Sequence, residues 1–398
     1  MAAIANPDSL TDDELIRAVS EVLSVDRTLD NSFVLHSPLE LLARADLLKR
    51  VSPAARDGAR ARLVSLAEIH HGSGDPIPLP EMPGDGDVDV LLGAIGAGDV
   101  DRADAIAMAL LPEADVADVC RLLAPATVRA AAAAAHAPIL LGNWPRTTAH
   151  ASLDPRFVRG IVRRLTRSPD VRFDLPHPNA SRQPGSAEDL DAALRSVPRL
   201  GSPGWGIYAL VQQAESSGLM ADMPAIGPAG VDVDDAFRVL FRVAATSMVL
   251  GDEEAAPYEW THCLSLPIGV WLSARAHADP HEALDVAVTH VVGFRAAFGD
   301  GALGRYEPAA PESPLGEALD EGPAVAAAAA FHAPDHADAM ALLIDAVAGE
   351  HDAHLVKYVH AALDATAADP ANAALYRAAA AHLAAWWRQN PPDDDPLA

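Results

Sequence analysis

The chain has 398 residues, half of them apolar, which is enough to bury a large core as one domain or two closely packed ones. Its formal net charge is −27 and no run of Lys and Arg offsets it, so a phosphate backbone is excluded as an expected partner. The longest apolar runs, 130–141 and 324–331, fall short of the ~20 residues that span a bilayer, and the acidic start MAAIANPDSLTDDELIRAV lacks the pattern of a secretory signal, so neither a membrane nor export is expected.

Thr11 and Glu14 have capping-box spacing and open a helix that runs to about Leu23. A second helix is expected over 38–50, where Leu39, Leu42, Ala43 and Leu47 recur at helical spacing, and a third over 54–69. Residues 72–87 hold four prolines and four glycines and read as a loop. Helical patterns resume at 88–96, 100–111 and 115–123, then through the alanine run 126–141 and over 155–167. Two irregular stretches follow, 168–186 and 197–206; loops of that length are functional lids or disordered excursions. Further helices are expected at 206–217, 232–250, 264–278, 280–298, 322–331, 335–348, 351–367 and 372–389, with a Pro/Gly linker at 301–316.

Abundant Ala and only 5% aromatics suit helices in close contact better than a sheet. The expected class is all-α: an N-terminal arm and first helix (1–30), one large helical domain with long Pro/Gly-rich loops (31–392) and a disordered acidic tail (393–398). Cys120 and Cys263 lie far apart in apolar surroundings and read as buried free thiols of a cytoplasmic protein.

Sixteen histidines are the unusual feature. His70, His71, His177, His277 and His281 lie in or beside polar loops and read as solvated; His150, His332 and His336 fall near helix ends, and His360 and His382 on amphipathic helices. Five others, His36, His136, His262, His290 and His354, sit in strongly apolar contexts. Each alone reads as a hydrogen-bonded core histidine, but several together point to a shared metal site, since neutral imidazole is a common ligand.

The most informative fragment is His351-Asp-Ala-His354-Leu-Val-Lys357-Tyr358. His354 and Lys357 share one face of a helix that Tyr358 and Ala361 continue. Such a lysine ordinarily snorkels to the surface. Turned inward, it loses its charge, and a neutral amine can add carbon dioxide to give a carbamate that ligates a cation.

The segments Phe33-Val-Leu-His36-Ser-Pro-Leu39, His136-Ala-Pro-Ile139, His262-Cys-Leu-Ser-Leu-Pro267, Thr289-His-Val-Val-Gly-Phe294 and His354-Leu-Val-Lys357 together resemble the questin oxidase-like family over roughly residues 30–390. The resemblance implies a helical non-haem iron oxygenase that acts on anthraquinones and related aromatic polyketides by ring cleavage or Baeyer–Villiger-type oxidation. It implies Fe(II) held by His36, His136, His262 and His354 with a carboxylated Lys357, and His290 as substitute ligand. Dioxygen and a small aromatic compound would be its partners, with NADPH through a separate reductase as a further possibility. Asp352, Glu259 and Tyr358 are candidate partners of the ligands, and Phe33, Trp144 and Trp260 candidate walls for a flat substrate. Two positions depart from the family pattern, which carries histidines where this chain has Glu40 and Leu140 or Leu141. A phosphohydrolase using the His351-Asp352 pair and a non-catalytic helical scaffold are the competing readings.

Overall fold

A computed structural model describes residues 4–28, 32–81, 86–112, 114–132, 136–167, 173, 182–204, 206–225, 231–251 and 258–390, without the side chains of 32–35 and 258–259. Among these, eighteen α-helices and no sheet make the protein all-α. The acidic tail lies outside the described residues. No described helix is long and apolar enough to cross a membrane.

The first three helices are α1 (Asp12–Leu23), α2 (Ser32–Leu48) and α3 (Pro53–Gly72). The capping box forms as read: Glu14 N–H donates to Thr11 Oγ1, and Thr11 N–H to the Glu14 carboxylate. Helix α2 starts six residues before the expected 38, with Pro38 inside it. An internal proline forfeits one helical hydrogen bond and costs ~3 kcal/mol. Burial of Leu39, Leu41 and Leu42 beside it, at ~1.5–3 kcal/mol each, outweighs that.

Next come α4 (Val88–Ala97), α5 (Val100–Leu110), α6 (Val116–Arg129), α7 (His136–Thr148) and α8 (Val158–Arg167). The alanine run is not the single helix expected over 126–141. Helix α6 ends at Arg129, a 3-10 turn covers Ala130–Ala132, and α7 begins at His136. Pro138 explains the break, because its ring is tolerated in a first turn and clashes further in.

The chain continues through α9 (Ala187–Arg195), α10 (Ile207–Ser216), α11 (Val233–Leu250), α12 (Tyr258–Ala274) and α13 (Pro280–Phe298). Helix α9 occupies the interval between the two irregular stretches and opens on a Ser186–Asp189 capping box. Helix α12 starts six residues before the expected 264, again with an internal proline, Pro267, and so places His262 on a helix. Helix α13 is buried from Ala283 to Ala297 and forms the central rod of the core. The last five are α14 (Leu315–Glu321), inside what reads as a linker and its margin, α15 (Pro323–His332), α16 (His336–Ala348), α17 (Ala353–Ala368) and α18 (Ala373–Gln389).

Helices α2, α7, α12 and α17 pack side by side in a ring, α2 on α7, α7 on α12, α12 on α17 and α17 on α2. Paired contacts show that all four run in the same sense. His36 meets His136, and ten residues further along both helices Asp46 meets Arg146 at 3.1 Å. His36 likewise adjoins His354, and Asp46 accepts from His360 Nε2 at 2.8 Å. Between α7 and α12, Gly269 faces Ile139 and Gly142 faces Leu272.

Those two glycines set how closely α7 and α12 approach. A Cβ on Gly269 would lie 2.8 Å from the Ile139 backbone, and one on Gly142 2.8 Å from Leu272 Cβ. Gly269→Ala should therefore force the pair apart and cost about 1–3 kcal/mol in denaturant unfolding. A cost below 0.5 kcal/mol would show that the contact yields freely.

Candidate metal centre

The beginnings of the four same-sense helices bring their histidines together. His136 is the first residue of α7 and His354 the second of α17, while His36 and His262 are each the fifth residue of their helices. Ring centroids stand 4.5 Å apart for His36–His136 and His36–His354, 5.1 Å for His262–His354 and 6.0 Å for His136–His262. His36, His262 and His354 each offer a ring nitrogen within 4.8 Å of the other two. His136 stands at the edge of that triad, its Nε2 3.0 Å from His36 Nε2.

Lys357, one turn beyond His354, is 5% exposed and does not snorkel. Burial drops its pKa to about 7, against the pull of the Asp352 and Glu40 carboxylates. Burial also pushes His36 and His136 well below the usual imidazole range, helped by Lys357 at His36 and by Arg164 at His136. His354 is lowered by burial and then by Lys357, with Asp352 opposing. At neutral pH His36, His136 and His354 are therefore uncharged and have lone pairs to offer.

Helix direction adds a field. Four α-helix N-termini, each with partial positive charge, converge on this spot. They oppose a bare cation, and neutral imidazoles bring no negative charge to offset them. A cation held here gains from an anionic donor, which the Lys357 amine becomes when carboxylated.

The neighbours of the ligands come partly from the expected residues. Asp352 Oδ1 accepts from the His354 and Leu355 backbone N–H groups at 2.7 and 3.0 Å and lies 3.6 Å from His354 Nδ1. Tyr358 is fully buried, and its hydroxyl has no hydrogen-bond partner among the described residues. The Glu259 and Phe33 side chains lie outside the described residues. His290 lies outside the triad on α13, where its ring packs on Phe294 at 4.7 Å and the His262 backbone is a neighbour. Burial there takes its pKa down to about 3. Trp144 and Trp260 are both buried, and Trp260 leans on Phe298.

Other expectations need correction. His70 is not solvated: it is buried, with Nδ1 3.0 Å from Ser37 Oγ and Nε2 3.0 Å from the Val25 carbonyl. His277 is buried too, and its Nδ1 accepts from Asp279 N–H. His351 is exposed, its Nδ1 3.3 Å from Arg62, while Asp352 turns to cap α17. Cys120 and Cys263 are buried free thiols as read, with burial pushing both up to about 12.

Two groups escape the sequence reading. Glu40, at a position where the resembled family has histidine, is fully buried between Arg44 at 2.6 Å and Arg62 at 3.0 Å. The Arg44 partner, four residues on, was a legible signal. Arg164 brings its Nη1 to 3.5 Å from His136 Nδ1. Its clue is the arginine cluster of α8, where Arg159 and Arg163 both turn to Asp104 and Arg164 to another face. No family model, no curated protein and no solved structure matches this chain, so its function is argued from the site's own chemistry.

Proposed function

We propose that the protein is a non-haem iron oxygenase of the questin oxidase-like kind, oxidising a flat aromatic polyketide such as an anthraquinone. The observation that carries this reading is three histidine nitrogens within 4.8 Å of one another beside a buried lysine whose pKa sits at about 7. The spacing suits a metal. Two nitrogens bound at ~2.1 Å to one cation at a right angle stand ~3.0 Å apart, the His36–His136 separation. His36, His136, His262 and His354 would hold Fe(II) together with Lys357.

The iron would supply activation of dioxygen towards an electron-rich ring. The protein's own part begins at Lys357. Its neutral Nζ attacks the carbon of carbon dioxide, an N–C bond forms, one proton leaves to solvent, and the product is an anionic oxygen donor. Asp352 fixes the first turn of α17 and so aims His354. Low exposure of His36, His136 and Lys357 keeps bulk water from reactive species. Insertion of both oxygen atoms needs no outside electrons. A monooxygenation needs two, which NADPH would provide through a separate reductase.

The test is iron binding by untagged protein reconstituted with Fe(II) under anaerobic conditions in bicarbonate buffer. About one iron per chain is expected, lost in His262→Ala and in His354→Ala with helical content unchanged by circular dichroism. Absence of bound iron in the parent protein, or its retention in both variants, overturns the reading.

A further inference from the structure

We propose that the cavity at the end of α13 is a binding site for a small monocarboxylate with an apolar body, whose charge is taken by Arg295. The site stands apart from the histidine cluster and does not depend on the oxygenase reading.

The cavity holds about 210 Å3, below the range of drug-sized ligands, and no histidine lines it. Helix α11 brings Ser247 and Leu250 to it, α12 brings Trp260, and α13 brings Arg295 and Phe298. The glycine-rich turn from Gly299 to Gly304 completes the wall. Trp260 and His262 are two positions apart on α12 and so point to opposite sides of it, which puts the helix between the cavity and the metal centre.

Arg295 is 2% exposed, and a guanidinium keeps its proton in proteins. A charge placed so deep normally has a counter-ion, as Arg44, Arg159 and Arg182 have in Glu40, Asp104 and Asp285. Arg295 has no carboxylate partner among the described residues. Its Nη2 donates to the Gly301 carbonyl, and its Nε has no hydrogen-bond partner. Arg377 also lacks a carboxylate, but it donates to the carbonyls of Ala330, Phe331 and Ala333. Asp300 lines the same cavity, yet its carboxylate pairs with Arg199 at 3.0 Å. Gly299 makes room for the group: a Cβ there would come 2.7 Å from Arg295 Cζ.

Ser247 supplies an independent sign. A buried hydroxyl on a helix ordinarily returns its proton to the carbonyl four residues back, as Thr246 does to Arg242 and Ser265 to Thr261. Ser247 is 1% exposed, and its Oγ has no partner. A charge and a hydroxyl that both lack acceptors thus share one cavity wall, and each costs stability until an acceptor arrives. One uncompensated positive charge calls for one negative charge, and the planar guanidinium fork matches the two oxygens of a carboxylate. Leu250, Trp260 and Phe298, the two rings 6.2 Å apart at their centroids, offer an apolar wall for the body of the ligand.

Titration calorimetry of the full chain with benzoate tests the site. We expect one saturable site per chain. Benzamide, of the same shape without the charge, should bind at least ~10-fold more weakly. Inorganic phosphate, which has no apolar body, should also bind more weakly than benzoate. Ser247→Ala should weaken benzoate ~3–10-fold, and Arg295→Met should abolish its binding. Without ligand, Arg295→Met should be no less stable to urea than the parent, because an unpaired buried charge is removed. Absence of saturable benzoate binding in the parent, equal binding of benzamide, or undiminished binding in Arg295→Met overturns the proposal. Phosphate binding tighter than benzoate overturns it in favour of a phosphate site. Should Arg295→Met fail to fold, the benzamide and phosphate comparisons, made in the parent protein, still decide.

Discussion

Lys357→Met should stabilise the metal-free protein at pH 7 by about 2–4 kcal/mol and abolish metal binding at the same time. The side chains have similar length and volume, so packing is kept while a buried amine is removed. Leaving water is what drives the amine's pKa to about 7, and it wins over the attraction of Asp352 and Glu40. Those two carboxylates are not orphaned by the change. Asp352 keeps its two backbone N–H donors, and Glu40 keeps Arg44 and Arg62. A side chain that costs stability where it sits is the pattern of a functional group. Loss of stability on substitution, under carbon-dioxide-free conditions, would instead make Lys357 a structural ammonium.

The pH dependence follows with its sign. The folded pKa is about 7 and the ordinary lysine value 10.5, so between them the unfolded chain binds a proton that the folded one lacks. Stability therefore rises with pH through that window, is complete above it, and is lost as pH falls towards 7, by on the order of 4 kcal/mol. In Lys357→Met that slope should vanish. Urea unfolding of both proteins at several pH values from 7 to 10 reads the difference directly.

The amino-acid sequence carried the local features well. Thr11 and Glu14 define a helix start because both partners lie within one turn. The inward lysine and its histidine share a face because they are three residues apart. Prolines misled. Pro38 and Pro267 read as first-turn residues, yet both sit inside helices, because the buried apolar side chains beside them, Leu39, Leu41 and Leu42 at Pro38 and Leu264, Leu266 and Ile268 at Pro267, outweigh one lost hydrogen bond. The apolar contexts of five histidines suggest a shared site, and the choice of His36, His136, His262 and His354 comes from resemblance. Nothing in spacing says that four separate helices point the same way with their beginnings together. His70 was misread for a related reason: it ends a helix beside a Gly-rich loop, but Ser37 and Val25, remote in sequence, close over it.

Glu40→Ala should be the costliest single change at the site, at about 3–5 kcal/mol. Its carboxylate is fully buried between two guanidiniums that are themselves nearly inaccessible. Removing it leaves two buried like charges without their counter-ion, a far worse state than replacing the whole group by apolar side chains. The arginines have a second task. Arg44 donates to the Ala348 carbonyl at 2.7 Å and to the Glu350 carbonyl, and Arg62 to the His351 carbonyl at 2.7 Å. Those carbonyls belong to the last residue of α16 and to the turn that leads into α17. Glu40 thus anchors α2 and α3 to the start of the helix that carries His354 and Lys357. The double variant Glu40→Ala/Arg62→Met should recover part of the loss, since one stranded charge goes with its partner. Equal or greater destabilisation in the double variant would mean that the Arg62 bond to His351 matters more than its bond to Glu40. In the outcome expected here, the site's first turn is held in place by an ion network, and the glutamate at a position where the resembled family has histidine is structural.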